Sequence, residues 1–268
     1  NNLLVLYNNK EGIIMLDCNN EEGVCIIDKV NLSNKIKTIS DELTVMYIGD
    51  PMCSRCWGIS PILKKVQNFC TDHKIKFNLM LGGLRIGGGD LWNDEFKNFL
   101  KNEWMRINER TGQKFVFNLL EKEDFNYDTE PACRAVFISK ILLNSQNDNN
   151  KTSLEFFSAI QKKFYACGED STEINFYKSI CEEFNISFET FSFYFNSNEI
   201  KNDLIQEICD SKQLMVRGMP SLMLFKNGLK LDISSGYKSY ESIITNIKKY
   251  IMLRRIHLAI QTHKHLAS

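Results

Sequence analysis

Cys53-Ser54-Arg55-Cys56 places two thiols three positions apart. The pair follows the apolar run Leu43-Thr44-Val45-Met46-Tyr47-Ile48 and opens a helix-like run from Trp57 to Phe69. Thiols at this spacing can bond to each other and can trade that bond with a bound protein or small thiol. The thiolate is the reactive form, and an unperturbed cysteine has a pKa of about 8.5. A helix N-terminus presents unpaired N–H groups and partial positive charge, so Cys53 is expected to ionise more readily than that. Between the cysteines, Ser54 and Arg55 are the expected tuners, Arg55 by its full positive charge. Stabilising the thiolate over the bridged form pushes such a couple toward oxidising behaviour. Cys56, one turn further in, is placed to be the shielded resolving thiol that attacks a mixed disulfide on Cys53. Asp50 either tunes Cys53 and takes a proton during resolution, or caps the turn into the helix.

Other readings of the same residue types are weaker. Structural zinc wants four ligands, commonly as two Cys/His pairs. There is no second C-x-x-C, His257, His263 and His265 sit together near the end, and His73 stands alone, so no metal site is expected. Cys18 and Cys25 read as small side chains of a β segment. Cys133, close behind Pro131, is a second candidate for a lowered pKa, set against a packed helical thiol. Cys70, Cys167, Cys181 and Cys209 read as inert. The stretch Gly82-Gly83-Leu84-Arg85-Ile86-Gly87-Gly88-Gly89 matches neither a dinucleotide fingerprint nor a P-loop and reads as a flexible loop beside a groove. In Val216-Arg217-Gly218-Met219-Pro220-Ser221, the proline serves a turn or the first position of a strand.

The elements that must position these residues follow from pattern. Leu3–Tyr7, Gly12–Leu16 and Val24–Ile27 are short apolar runs, expected as strands of a small meander, and 31–41 is a polar linker. Leu43 onward reads strand, turn, helix: apolar positions 59, 62, 63, 66 and 69 recur at helical spacing, and Pro61 is expected to kink that helix. Ile75–Leu81 is a second strand. Helical patterns occupy Leu91–Arg110, Pro131–Leu143, Ser153–Ala166, Glu173–Phe184, Glu189–Phe195 and Glu199–Lys212. Their aromatic residues read as a helical core. Ser221–Phe225, a Lys226-Asn227-Gly228 turn and Leu229–Ile233 make a hairpin, and an amphipathic helix runs from Tyr240 to about residue 260. The order is that of an α/β core interrupted by an all-helical insertion. The expected divisions are a β extension over 1–40, core over 41–90, insertion over 91–212 and core again over 213–268.

The chain has 268 residues, 43% hydrophobic and 25% charged, with 33 basic and 33 acidic side chains. A balanced charge gives no reason to expect nucleic acid or an anionic membrane as partner, and no apolar stretch is long enough to span a bilayer. Nine cysteines, an odd number scattered through apolar stretches, fit a reducing compartment better than a secreted disulfide scaffold. The cytoplasm is therefore expected, or the periplasm if a leader has been removed.

Four stretches carry a family likeness. Tyr47 to Gly58, Gly82-Gly83-Leu84-Arg85, Thr129-Glu130-Pro131-Ala132-Cys133-Arg134-Ala135 and Gly218-Met219-Pro220-Ser221 together resemble the DsbA-like branch of the thioredoxin superfamily. Within it, the likeness is to the bacterial group labelled predicted protein-disulfide isomerases, and it covers about Thr44 to Asn246. The resemblance implies a thioredoxin-like core with an inserted helical domain, Cys53 as nucleophile and Cys56 as resolving thiol. It implies that Pro220 is a cis-proline beside the disulfide, with Met219 and Gly218 presenting backbone to an extended substrate. The implied partner is a protein or small molecule bearing a thiol or disulfide, with no bound cofactor and with glutathione as an available co-substrate. Arg55 stands where the family commonly has an aromatic residue, and residues 1–40 fall outside the likeness. Glutathione-dependent transferases and isomerases share the architecture but usually carry Ser at the catalytic position, which here is Cys53. A non-enzymatic module holding soft metal at the cysteine pair is the remaining alternative.

Overall fold

The structure is a computed structural model that describes residues 15–19 and 24–28 by their backbone, and 43–145, 151–214, 218–226 and 229–251. Its main sheet grows from strand β3 (Thr44–Gly49), whose residues are buried on both faces apart from half-buried Met46. β3 pairs in parallel with β4 (Lys76–Leu81) and antiparallel with β5 (Ser221–Lys226), and β5 pairs antiparallel with β6 (Leu229–Ser235). The strand order is β4-β3-β5-β6. A parallel pair needs a crossover connection, supplied here by helix α1 (Ser54–Asp72). Because side chains alternate along a strand, Val45 and Tyr47 join the large core under α1. Ile48 faces the other way, with Met223 and Phe225.

Helix α1 buries Ile59, Leu63, Val66, Phe69 and Cys70, the stripe its apolar spacing predicts, with Ile62 partly exposed. Pro61 does not end it. The proline has no N–H for the Trp57 carbonyl four residues back. That carbonyl instead accepts from Gln113 Nε2 at 2.9 Å, and Gln113 also donates to Ser60 Oγ at 2.8 Å.

Between β4 and β5 the described chain is helical: α2 (Asp94–Thr111), α3 (Glu130–Ser145), α4 (Ser153–Gln161), α5 (Lys178–Glu183), α6 (Phe188–Phe195) and α7 (Asn198–Gln213). A short wider-wound turn, Lys162–Ala166, continues α4. Capping chemistry sets several starts. Asn93, Ser187 and Ser197 each accept a backbone N–H at the head of a helix, and Thr152 with Glu155 forms a capping box. The expected aromatic core is there: Trp104, Phe156, Phe157, Phe164, Tyr165, Tyr177 and Phe191 are buried to 1% exposure or less, whereas Phe193 is exposed.

A helix α8 over 240–251 follows β6. The fold is α/β, a four-stranded core with an inserted helical domain. Strands β1 (Met15–Asn19) and β2 (Val24–Asp28) form a separate antiparallel hairpin in which Cys18 lies opposite Cys25. The predicted strand at Leu3–Tyr7, the linker 31–41 and the closing stretch beyond 251 lie outside the described residues.

Candidate active site

Cys53 is the N-cap residue of α1, in extended conformation (φ −87°, ψ 112°), immediately before the first helical turn. It is held there from three sides. Its own N–H donates to the Asp50 carbonyl at 3.1 Å, and its carbonyl accepts from Trp57 N at 3.0 Å. The preceding carbonyl, of Met52, accepts from two tyrosine hydroxyls of the helical insertion, Tyr127 at 2.8 Å and Tyr165 at 2.5 Å. Trp57 donates from its indole to the Lys114 carbonyl at 3.0 Å and stacks on Tyr165. The insertion thus fixes the loop that carries the thiol.

The two sulfurs face each other, and their environments differ in sign. The Cys53 thiol is held below the ordinary cysteine range, chiefly because the Cys56 S–H donates to its sulfur. The backbone amides of Cys56 and Arg55 add to this, while burial and the nearby Asp50 oppose it. Cys56 is pushed well up, first by burial and then by its role as donor to Cys53. Cys53 keeps 5% of its surface exposed and Cys56 none. One sulfur is therefore favoured as an accessible anion, the other as a shielded proton-bearing thiol.

Arg55 contributes through its backbone N–H. Its guanidinium, 62% exposed, is paired at 3.1 Å with Glu103 on α2. Ser54 is the half-buried first residue of α1. Asp50 is fully buried and accepts from Met52 N at 2.8 Å, Leu84 N at 2.6 Å and the Cys133 thiol at 3.3 Å, with Thr129 adding a further hydrogen bond. Burial raises its pKa, partly offset by those donors. It closes the turn before Cys53 and ties that turn to the glycine-rich loop.

That loop is pinned, where its sequence reads as flexible. Gly82 N donates to the Gly49 carbonyl, Arg85 N to Thr129 Oγ1, Gly87 N to Asp128 Oδ1 and Gly89 N to Asn126 Oδ1. Its glycines serve close approach: a Cβ on Gly82 would lie 2.2 Å from Met219 Sδ. Met219 is thereby packed on the loop. The Met219–Pro220 bond is cis. Ser221, the next residue, pairs with Ile48 near the end of β3. The topology therefore brings Gly218, Met219 and Pro220 to the sheet end from which the Cys53 loop departs, with Gly218 exposed and Pro220 buried.

Of the two sequence readings of Cys133, the structure agrees with the packed helical thiol. Although it lies near the start of α3, burial, then the Asp50 carboxylate, push its thiol well up. Burial also raises Cys70 and Cys181, each to about 12. Cys167 is an exposed free thiol, and Cys209 is disulfide-bonded. Among the described residues no group of three or more His, Cys, Asp or Glu side chains is arranged to hold a metal ion, and no helix is long and apolar enough to cross a membrane.

Sequence reasoning missed Tyr127 and Tyr165. Tyr165 reads only as a helical-core aromatic, and the fold brings its hydroxyl and that of Tyr127 to the Met52 carbonyl.

No protein-family model matches the chain. The crystal structure of a candidate protein disulfide isomerase from Nitrosomonas europaea superposes with a TM-score of 0.70 at 27% identity, covering 79% of this chain and 98% of that one. This chain has the DsbA-like thioredoxin fold. The cytosolic disulfide reductase DsbM from Pseudomonas aeruginosa shares the fold, with a TM-score of 0.63 at 23% identity over 79% of this chain and 98% of that one. Among curated sequences, the ClpXP adapter protein SpxH of Bacillus subtilis is 21% identical over 210 residues, which is 75% of this DsbA-like chain and 66% of the relative. The match thus spans just under two thirds of that relative's length.

Proposed function

We propose that this DsbA-like chain is a thiol–disulfide oxidoreductase in which Cys53 is the nucleophile and Cys56 the resolving thiol. The observation that carries the reading is the opposed perturbation of two facing sulfurs, one lowered at a helix N-terminus and one raised beneath it. The Cys53 thiolate attacks one sulfur of a substrate disulfide, and the other sulfur leaves with the electron pair and takes a proton. Cys56 then loses its proton and attacks Cys53 Sγ. The Cys53–Cys56 disulfide forms, the mixed disulfide breaks, and the second substrate sulfur leaves as a thiol. Two molecules of an external thiol return the pair to the dithiol, and no bound cofactor takes part. Gly218, Met219 and Pro220 lie where an extended substrate segment would run past Cys53, offering backbone for strand-like pairing.

The partner is a protein or small molecule bearing a thiol or disulfide. Glutathione is the small thiol we favour, since the Pseudomonas aeruginosa reductase has also been solved with it. A cytoplasmic setting, that of the same neighbour, is part of the proposal.

The test is to incubate the reduced chain with glutathione disulfide and map the products by mass spectrometry. The wild type should yield the Cys53–Cys56 disulfide, Cys56→Ser should accumulate glutathione on Cys53, and Cys53→Ser should do neither. Exchange that survives Cys53→Ser would refute the mechanism. A second reading, a protein-binding adapter, has one observation in its favour: both curated relatives are named as ClpXP adapter proteins. In that case partner binding would be unchanged in the Cys53→Ser, Cys56→Ser double variant.

A further inference from the structure

Arg55 is the charged residue inside the C-x-x-C motif. Its backbone N–H serves Cys53, but its guanidinium does not. The thiol is governed chiefly by Cys56, by burial, by Asp50 and by the amides of Cys56 and Arg55. The guanidinium instead crosses to α2 and meets Glu103 at 3.1 Å. Glu103 is already shared: its other carboxylate oxygen accepts from Arg106, further along α2, at 3.0 Å. Two cations therefore face one carboxylate, and the cluster carries an excess of positive charge.

Exposure sorts the three side chains. Glu103 is 17% exposed, whereas Arg55 and Arg106 are 62% and 75% exposed. The acid is the sheltered member, and the two guanidinium groups front the solvent. Each gives Glu103 one hydrogen bond. A guanidinium has more N–H donors than that, in a planar fork that matches a carboxylate. Exposed ion pairs hold weakly, so an arriving carboxylate can take up Arg55 at little cost while Arg106 keeps Glu103 neutralised. The place of Arg55 gives this a chemical consequence. It lies two residues after Cys53, in the first turn of α1, on the same helix start that carries the nucleophile. A partner whose carboxylate is held by Arg55 is thereby held at the end of the helix where Cys53 reacts.

We propose that Arg55, with Arg106 holding Glu103 in its place, recognises a carboxylate on the thiol or disulfide partner, so that anionic partners, glutathione disulfide among them, are preferred over neutral or cationic ones. This rests on the dithiol reading above and narrows its substrate class. The exchange is otherwise unchanged. The Cys53 thiolate attacks one sulfur of the disulfide, and the other sulfur leaves with the electron pair and takes a proton. The partner's carboxylate stays ionised throughout.

The test compares an anionic with a neutral reagent at Cys53, so that any change in thiolate fraction cancels in the ratio of rates. Iodoacetate and iodoacetamide differ by one charge, and neither requires turnover. In the full chain carrying Cys167→Ser, alkylation of Cys53 is followed by peptide mass at low salt. Arg55→Met should lower the iodoacetate-to-iodoacetamide ratio about fivefold, the effect of one unit charge at contact distance in water. Glu103→Gln, which removes the competing acid, should raise the ratio, and high salt should shrink both differences. A ratio that Arg55→Met leaves unchanged, or that Glu103→Gln lowers, would overturn the proposal. The same comparison is made with glutathione disulfide against the neutral hydroxyethyl disulfide, and that ratio should also fall about fivefold in Arg55→Met. An unchanged disulfide ratio would reject the carboxylate as the recognised group. If the native chain reacts with neither disulfide, the oxidoreductase reading fails, and the alkylation ratio alone decides whether Arg55 draws a carboxylate to Cys53.

Discussion

Replacing Cys56 with alanine tests where the activation of Cys53 comes from. The largest contribution lowering the Cys53 pKa is the hydrogen bond from the Cys56 thiol, ahead of the two helix amides. Hydrogen bonds to charged groups contribute about 1.5–3 kcal/mol, and one pKa unit corresponds to about 1.4 kcal/mol. Removing the donor should therefore raise the Cys53 midpoint by about one to two units. Burial and Asp50, which both push upward, would then be opposed only by the amides of Cys56 and Arg55. Cys56→Ser is the matched control, because a hydroxyl also donates and should retain much of the lowering. The assay is the pH dependence of Cys53 alkylation, followed by peptide mass in a Cys167→Ser background. That background removes the exposed free thiol, while Cys70 and Cys181, raised to about 12, react slowly. An alanine variant titrating with the wild type would refute the reasoning and leave the helix terminus as the whole source of activation.

Three further outcomes follow from the same contacts. Asp50→Asn removes the buried negative charge that opposes the Cys53 thiolate, so the Cys53 midpoint should fall by a few tenths of a unit to about one unit. Its single remaining carbonyl oxygen serves two backbone donors poorly, so the unfolding free energy measured in urea should also drop, by about 1–2 kcal/mol. Arg134→Met strips the partner from Glu130, 3.0 Å away, and from the Phe195 carbonyl; with the arginine side chain only 8% exposed, the loss should be about 3 kcal/mol by chemical denaturation. The stability of the reduced chain should depend on pH through Cys53. Its folded pKa lies below its unfolded one, so the unfolded state binds more protons in between. The stabilisation is present above about pH 8.5, the unfolded value, and is lost as pH falls through the folded pKa. Cys53→Ser should flatten that part of the curve, and an unchanged slope would contradict the lowered pKa.

What could be read in the sequence was whatever local pattern determines. The C-x-x-C at a strand-to-helix junction, the periodic stripe of α1, the hairpin after Pro220 and the helical run between the strands all follow from spacing of apolar residues and turn chemistry. The hidden part is what depends on residues distant in the chain meeting at one place. Arg55 read as a charge beside the thiol because its partner, Glu103, is 48 positions away. Cys133 read as a helix-start thiol because nothing local reveals Asp50 against it, 83 positions away. The glycine run read as flexible because its acceptors Asn126, Asp128 and Thr129 come from another segment.

The two tyrosines on the Met52 carbonyl carry this furthest. A carbonyl just before a helix N-cap needs no partner within the helix, yet this one takes two buried hydroxyls, from Tyr127 and from Tyr165 in the wider-wound turn that continues α4. Buried polar groups that satisfy one another specify a geometry more sharply than apolar packing does. The helical insertion therefore does more than cover the sheet. It holds the Met52–Cys53 peptide that carries the Cys53 thiol. In a thioredoxin-like core the strand and helix supply the chemistry, and in this chain the inserted domain supplies the position.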